Sequence, residues 1–148
     1  MALLYAESVE YLDVEEMQKT HEEEIAMLNE LDKLAIQYGM DKSDKSKLSQ
    51  METKLDEYLE HVKAHFANEE RLMRKYDFPA YEKHKMAHDI FLMDVSIAIK
   101  QWKHSGDIDK VIRFVRNSPE WIVMHINTVD APTATYIARK MAEEAEKN

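Results

Sequence analysis

The stretch HFANEERLMRKYDFPAYEKHKMAHDIF, residues 65–91, contains two pairs of side chains that can bind a metal ion. His65 and Glu69 lie four residues apart, and so do His84 and His88. Residues four apart on an α-helix differ by about 40° in direction, so each pair projects from one side of a helix. The stretch therefore predicts two consecutive helices whose ligand side chains reach a common centre.

Three further side chains outside this stretch extend the pattern. His21 precedes it, and the later sequence HINTVD holds His125 and Asp130, five residues apart. Five residues turn an α-helix by about 140°, so Asp130 would approach from the side, which suits a carboxylate that bridges two ions. Five histidines and two carboxylates supply enough nitrogen and oxygen ligands for two iron ions.

The composition excludes several other classes of protein. The 148-residue chain contains no cysteine, which rules out disulfides, iron–sulfur clusters and thiolate zinc sites. A net charge of -9 opposes binding to nucleic acid. We find no basic leader at the N-terminus and no apolar run of membrane-spanning length, so we expect no membrane contact and a cytoplasmic location.

The local signals predict a single domain over residues 1–148 with an all-α fold, because 2 Gly and 3 Pro leave long periodic stretches unbroken. Asp13 is the expected N-cap of a first helix that runs to about Tyr38, and Gly39 suits its end. A polar loop covers 39–46, and a second helix covers about 47–76.

The second half of the chain predicts two more long helices. Asp77 caps a third helix, with Pro79 in its first turn, and this helix ends near residue 104 before a Ser-Gly-Asp break. Residues 108–116 form a short extra helix, and the Asn-Ser-Pro sequence at 117–119 opens the last long helix, to about residue 143. Pro132 should bend that helix. The prediction is an antiparallel up-down-up-down four-helix bundle with ligands facing its core.

Each histidine alone also has an ordinary structural explanation, either on the surface or within a core. Together, five imidazoles and two carboxylates buried without a metal would leave costly unsatisfied groups. His61 lies one turn before His65 and is expected on the surface or behind a ligand, while His104 ends a helix. No histidine follows a glutamate by three residues, which argues against a ferritin-like site, and the HEEEI sequence at His21 lacks the second histidine of a zinc protease.

An isolated His, HxxxE, HxxxH and HxxxxD, in this order and at helix-length separations, resemble the pattern of the hemerythrin family, especially its single-domain bacterial members. The resemblance runs from about Val9 to Tyr136. It implies that His84, His88 and His125 bind one iron ion and that His21 and His65 bind the other. It also implies that the two carboxylates, Glu69 and Asp130, bridge the irons together with an oxo or hydroxo group.

The resemblance further implies reversible binding of dioxygen at the iron with two histidines, beside a pocket lined by Phe66, Trp121 and Ile122. The residue three positions after the first ligand is usually apolar in this family and faces the oxygen pocket, but here it is Glu24. This carboxylate could bind the second iron, fill its open position or transfer protons, or it could face solvent while Ile25 takes the apolar role.

Two functions stay open at this point: an oxygen-binding protein for storage, delivery or sensing, which the resemblance favours, and a di-iron enzyme or sensor for peroxide, nitric oxide or iron and redox state. The expected partners are dioxygen or related small oxidants, and the oligomeric state is not predicted.

Most methionines, including Met86, Met93 and Met124, have the spacing of core residues on amphipathic helices.

Overall fold

The structure, a computed structural model, describes residues 2–4 and 9–147, and within these it contains helices and no strand. The helices are α1 (Glu15–Met40), α2 (Lys45–Lys75), α3 (Tyr81–Ser105), α4 (Asp109–His125) and α5 (Ala131–Glu146), with a π-helical turn at Ile126–Asp130 joining the last two. Helix α1 packs on α2 and α4, and α3 packs on α2 and α4. The prediction of an all-α four-helix bundle is therefore confirmed, with α4, the π turn and α5 forming the fourth arm.

The two ends of α1 differ from the sequence prediction. Val14, rather than Asp13, occupies the N-cap position, and the carboxylate of Asp13 instead accepts a hydrogen bond from the Thr135 hydroxyl at 2.9 Å. The predicted helix end at Gly39 is also wrong, since α1 continues to Met40. The chain then reverses without a residue of positive φ, so the conformational freedom of glycine is not needed there.

The corner between α2 and α3 is built by a left-handed residue. Asp77 has φ of 51°, and the Phe78 N–H donates to the Met73 carbonyl at 2.9 Å, a bonding pattern that closes a helix C-terminus. Asp77 therefore belongs to the end of α2 and is not the predicted cap of α3, which begins at Tyr81. Pro79 lies in the turn before it. At its other end α3 stops at Gly106, with φ of 76°, as the predicted Ser-Gly-Asp break requires.

The short helix predicted over 108–116 is the first part of a longer one, because α4 runs through Pro119 to His125 without interruption. A proline in a helix interior has no N–H to donate to the carbonyl four residues before it, here that of Val115. The Ser118 hydroxyl donates to this carbonyl instead, at 2.7 Å. This substitute bond explains why the Asn-Ser-Pro sequence does not start a new helix.

Two apolar clusters form the core, and the predicted ligands lie between them along the bundle. One cluster includes Ile25 and Phe66, and the other includes Met17, Leu72 and Met73. On α1, His21 lies one turn from both Met17 and Ile25. The bundle therefore holds a polar layer inside an apolar core, where water has little access.

The prediction of core methionines on α3 and α4 is wrong for Met86, Met93 and Met124, which are all exposed. Their spacing is that of an amphipathic helix, but α3 places its other side toward the core. His84, His88 and Phe91 lie on that buried side.

Candidate metal centre

The structure brings the seven predicted ligands together as two overlapping clusters of buried side chains. One cluster consists of Glu69, His84, His88, His125 and Asp130, and the other of His21, His65, Glu69 and Asp130. Within each cluster the ligand atoms all lie within 4.8 Å of one another. The two clusters share Glu69 and Asp130, so one holds three histidines, the other holds two, and both carboxylates belong to both.

The two oxygens of each shared carboxylate point to different clusters. Asp130 Oδ1 lies 2.9 Å from His84 Nε2 and 3.1 Å from His125 Nε2, while its Oδ2 lies 3.1 Å from His21 Nε2. Glu69 divides its oxygens in the same way, with Oε1 3.2 Å from His88 Nε2 and Oε2 2.5 Å from His65 Nε2. This is the orientation that a carboxylate needs to bridge two metal ions.

The π-helical turn explains how Asp130 reaches the centre. In an ordinary α-helix Asp130 would lie about 140° away from His125. In a π turn the hydrogen bonds run from each residue to the fifth one on, so five residues complete about one turn. The Ala131 N–H accordingly donates to the Ile126 carbonyl. The wider turn therefore places His125 and Asp130 on the same face, whereas the α-helical spacing had predicted a sideways approach.

The burial of these groups indicates that the centre is built for metal ions. Several fully buried ligand atoms approach one another closely but form no hydrogen bond, including Glu69 Oε1, both carboxylate oxygens of Asp130, and Nε2 of three histidines, His84, His88 and His125. Buried polar atoms without partners are rare and costly in proteins. Nitrogen and oxygen ligand atoms that all face one point gain partners when they bind metal ions, and iron suits such a mixed set of ligands.

The outward-facing nitrogens of two histidines are held by neighbouring side chains. Thr133 donates its hydroxyl to the Val129 carbonyl at 2.8 Å, so its oxygen must accept from His84 Nδ1, which lies 2.9 Å away. Glu70 Oε2 lies 3.0 Å from His88 Nδ1. A proton held on Nδ1 leaves the lone pair of Nε2 free for a metal, and such outer contacts orient metal-binding histidines.

The carboxylates and imidazoles shift each other's pKa in the metal-free protein. Burial lowers the pKa of His21, but Asp130 and Glu69 outweigh it and raise that pKa to about 9. The same competition, with the same two carboxylates, raises the pKa of His84 to about 9. Burial raises the pKa of the Glu69 carboxyl, yet the nearby histidines hold it well below its usual range. The carboxylates therefore stay ionised, and protons compete with metal for His21 and His84.

A small cavity of about 30 Å³ is lined by both histidines of the two-histidine cluster and by His125 of the other cluster. Its lining includes the predicted pocket residues Phe66, Trp121 and Ile122, together with Glu24. Phe66 stacks on His88 with ring centroids 3.8 Å apart, and Trp121 stacks on His125 at 4.4 Å. These aromatic side chains therefore both surround the cavity and restrict the ligand rings.

Glu24 contacts the two-histidine cluster from behind. Its carboxylate touches Nδ1 of His65, the nitrogen that faces away from the centre, and it also lies 3.2 Å from His61 Nδ1. Glu24 is absent from both groups of candidate metal ligands, and its side chain is 15% exposed. Burial raises the pKa of the Glu24 carboxyl, but the neighbouring His65 and His61 outweigh it and lower that pKa. In this geometry the carboxylate is an ionised partner of a ligand.

The two remaining histidines, His61 and His104, lie outside both clusters. His61 is partly exposed and bridges Glu24 and Glu23, at 3.2 Å from each carboxylate. The carboxylate of Glu24 raises the pKa of His61, against the effect of burial. His104 is exposed in the last turn of α3.

Several residues at the centre were missed from the sequence. Tyr58, Phe91 and Ile126 also line the cavity, and Glu70 and Thr133 hold ligand histidines. Glu70 follows Glu69 directly, and Tyr58 precedes His65 by seven residues, or about two helical turns, which is a weak signal for a shared face. The Thr133 contact joins α3 to α5 and could not be inferred from local spacing.

A four-helix bundle with five buried histidines and two shared carboxylates at its centre defines a class of metal-binding helical protein. The model of the hemerythrin HHE cation binding domain matches residues 12–131 of this chain. The chain belongs to the hemerythrin family.

Named relatives agree with this assignment. The chain is 32% identical over 119 residues to a bacteriohemerythrin of Aquifex aeolicus (strain VF5), covering 80% of this chain and 85% of that protein. It is 29% identical over 93 residues to the bacteriohemerythrin of Ralstonia nicotianae, covering 63% and 67%. A hemerythrin of Phascolopsis gouldii shares 35% identity over 66 residues, covering 45% and 46%. No solved structure matches the chain significantly.

Within the part of the chain that the structure describes, no helix combines the length and apolar character needed to cross a membrane.

Proposed function

We propose that this protein binds two iron ions and reversibly binds dioxygen beside them. The observation that carries the proposal is the pair of clusters that share Glu69 and Asp130 next to a small, mainly apolar cavity. His84, His88 and His125 would hold one iron, and His21 and His65 the other, with the carboxylates and an oxo or hydroxo group as bridges. When bound, the iron pair would supply the electrons that reduce dioxygen on binding and would take them back on its release.

The cavity supports dioxygen as the ligand because of its size and its walls. A volume of about 30 Å³ has room for a small molecule such as dioxygen. Its lining includes both His21 and His65 but only His125 of the other three histidines, and an iron with two histidines has more coordination positions free than one with three. Phe66, Trp121 and Ile122 exclude water, and a dry site protects reduced oxygen species from protonation and loss.

A second candidate function, turnover of peroxide, nitric oxide or a related small oxidant, is supported by one specific feature. Glu24 places a carboxylate in the wall of the cavity and touches His61, which reaches solvent beside Glu23. A polar route of this kind supplies protons, which turnover needs and reversible binding does not. Reversible oxygen binding and catalytic turnover therefore predict different reactions of the same centre with oxygen.

The deciding experiment follows the absorption spectrum of anaerobically prepared ferrous protein as oxygen is added and then removed. Carriage predicts a spectral change that reverses over several cycles, at about two irons per chain by metal analysis. Direct conversion to a stable ferric form on the first exposure would contradict carriage and favour turnover. Iron content well below two per chain would contradict the binuclear centre itself.

A further inference from the structure

A continuous apolar stripe covers the solvent side of α3. Among the described residues, eight large hydrophobic side chains are exposed, and four of them lie on this one helix. They are Met86, Ile90, Met93 and Ile97, with exposed fractions between 47% and 61%. We call these four residues the outer stripe. The other four exposed side chains are distributed over the N-terminal segment, α1 and α4, and among the described residues no other helix carries more than two of them.

The outer stripe has the spacing of a coiled-coil seam. Its residues follow one another at intervals of four, three and four, which is the alternating a and d pattern of a heptad repeat. At about 100° per residue, the four side chains fall within an arc of about 60° on the side of α3 opposite His84 and His88. The packing of this bundle gives those side chains no function on that side, because the core lies on the other.

We propose that the outer stripe is a self-association surface, on which α3 packs antiparallel against α3 of a second copy of this chain. In this arrangement Ile90 faces Met93 of the second copy, and Met86 faces Ile97. All four side chains of each copy are then covered, and a two-fold axis passes between residues 91 and 92. The contact is isologous, so it closes at the dimer.

The charges along one edge of the stripe favour a second copy and the antiparallel direction. Lys85 and Asp89 neutralise each other through a contact of 2.7 Å within the helix. The edge is then left with Glu82 at its N-terminal end and with Lys100 and Lys103 at its C-terminal end. Antiparallel packing places the same edge of both helices on one side of the contact, so Glu82 of each copy lies beside these lysines of the other copy, whereas parallel packing leaves Glu82 and the lysines at opposite ends of the contact.

The size of the stripe predicts a weak, reversible dimer. The stripe is about 17 Å long, and its exposed side chains offer roughly 400 Å² of apolar surface, at the scale of the largest patches on ordinary monomers. Each copy thus contributes less than the roughly 800 Å² of a standard stable interface. A dissociation constant in the micromolar range is therefore expected.

Sedimentation equilibrium of the full-length, iron-loaded protein over roughly two decades of micromolar concentration tests the proposal. The mass should rise from 17.5 kDa toward twice that value as the concentration increases. Ile90→Lys should raise the dissociation constant at least about tenfold, because it places a charge at the centre of the contact. Ile36→Lys is the matched control, since Ile36 on α1 is 46% exposed and lies outside the stripe.

Charge reversal tests the direction of packing. Glu82→Lys should weaken the dimer, and combining it with Lys103→Glu should restore the native affinity. A monomer at every concentration, or equal losses from Ile90→Lys and Ile36→Lys, would overturn the proposal. A dimer that depends on Ile90 but gains nothing from the second charge change would overturn the antiparallel arrangement. Iron content and helical circular dichroism, measured in parallel, keep these outcomes separate from those that test the metal centre.

Discussion

Replacing Glu24 with glutamine should loosen His65 and weaken the iron ion bound on the two-histidine side. The Glu24 carboxylate touches His65 Nδ1 in a mostly buried position. A hydrogen bond to a charged partner contributes about 1.5–3 kcal/mol, and a neutral one about 1 kcal/mol. Glutamine keeps an oxygen acceptor but removes the charge. We therefore expect a loss of about 1–2 kcal/mol, which corresponds to roughly 5- to 30-fold weaker iron binding.

Glu24→Leu extends the same test. Leucine removes the acceptor completely and places an apolar side chain at the position where the family usually has one. Iron binding should weaken further, to about 10- to 100-fold below native, as for other partners of metal-binding histidines. The cavity should become more apolar at the same time, and azide or dioxygen should bind the remaining loaded protein more tightly.

The assay is the rate at which a chelator removes iron, together with the reduction potential of the centre. A carboxylate on Nδ1 makes an imidazole a stronger donor and stabilises ferric iron, so both variants should have a higher potential than native protein. Glu23→Gln is the control, because Glu23 is half exposed and contacts only His61 at 3.2 Å. Glu24→Gln protein with native iron loss, potential and spectrum would show that the Glu24–His65 contact does not support the centre.

Three further predictions concern the ligands, the metal and α4. His84→Ala should lower iron content and change the absorption spectrum, whereas His104→Ala, at an exposed position, should leave both unchanged; native stoichiometry in the first variant would remove His84 from the ligand set. Chelation of the metal should lower the melting temperature by several degrees, because the four-helix site exists only in the folded protein. The difference in melting temperature between metal-loaded and metal-free protein should increase with rising pH. His21 and His84 have pKa values of about 9 in the metal-free fold, against about 6.5 when unfolded. Contacts of the protonated histidines stabilise the metal-free protein fully at pH values below their unfolded pKa, and this stabilisation is lost as pH rises through about 9. Over the same pH range protons stop competing with metal ions for the two histidines. If calorimetry gives the same difference in melting temperature at every pH, this linkage is contradicted. Ser118→Ala should lower the free energy of unfolding by about 1–2 kcal/mol in urea, since the Val115 carbonyl loses its donor, and Pro119→Ala in the same chain should recover part of it by restoring an N–H; additive effects of the two changes would refute the coupling.

The sequence alone was sufficient to predict the helical class and the seven candidate metal ligands that the structure brings together. Helical spacing is a local property, so His65 with Glu69 and His84 with His88 could be assigned to common faces before any packing was known. The break at Gly106 was predicted for the same reason, because a left-handed residue at a helix end depends on its own backbone.

Local sequence signals did not predict the helix boundaries correctly where another hydrogen-bonding arrangement was available. Pro119 was expected to begin a helix, but the Ser118 hydroxyl replaces the missing donor and α4 continues. Asp77 was expected to cap α3, but its φ of 51° closes α2 instead. Both signals were chemically reasonable, and both positions had an alternative hydrogen-bonding solution that composition does not distinguish.

Tertiary structure alone decided which side of each helix faces the core and where each polar group finds its partner. The π turn moves Asp130 onto the face of His125, and Glu24 reaches His65 on another helix instead of solvent. The same helical periodicity that predicted core positions for Met86 and Met93 is present, but α3 is rotated to direct His84 and His88 inward, so those methionines face outward. The physical reason is that periodicity defines the faces of a helix, whereas the contacts between helices define which face is buried.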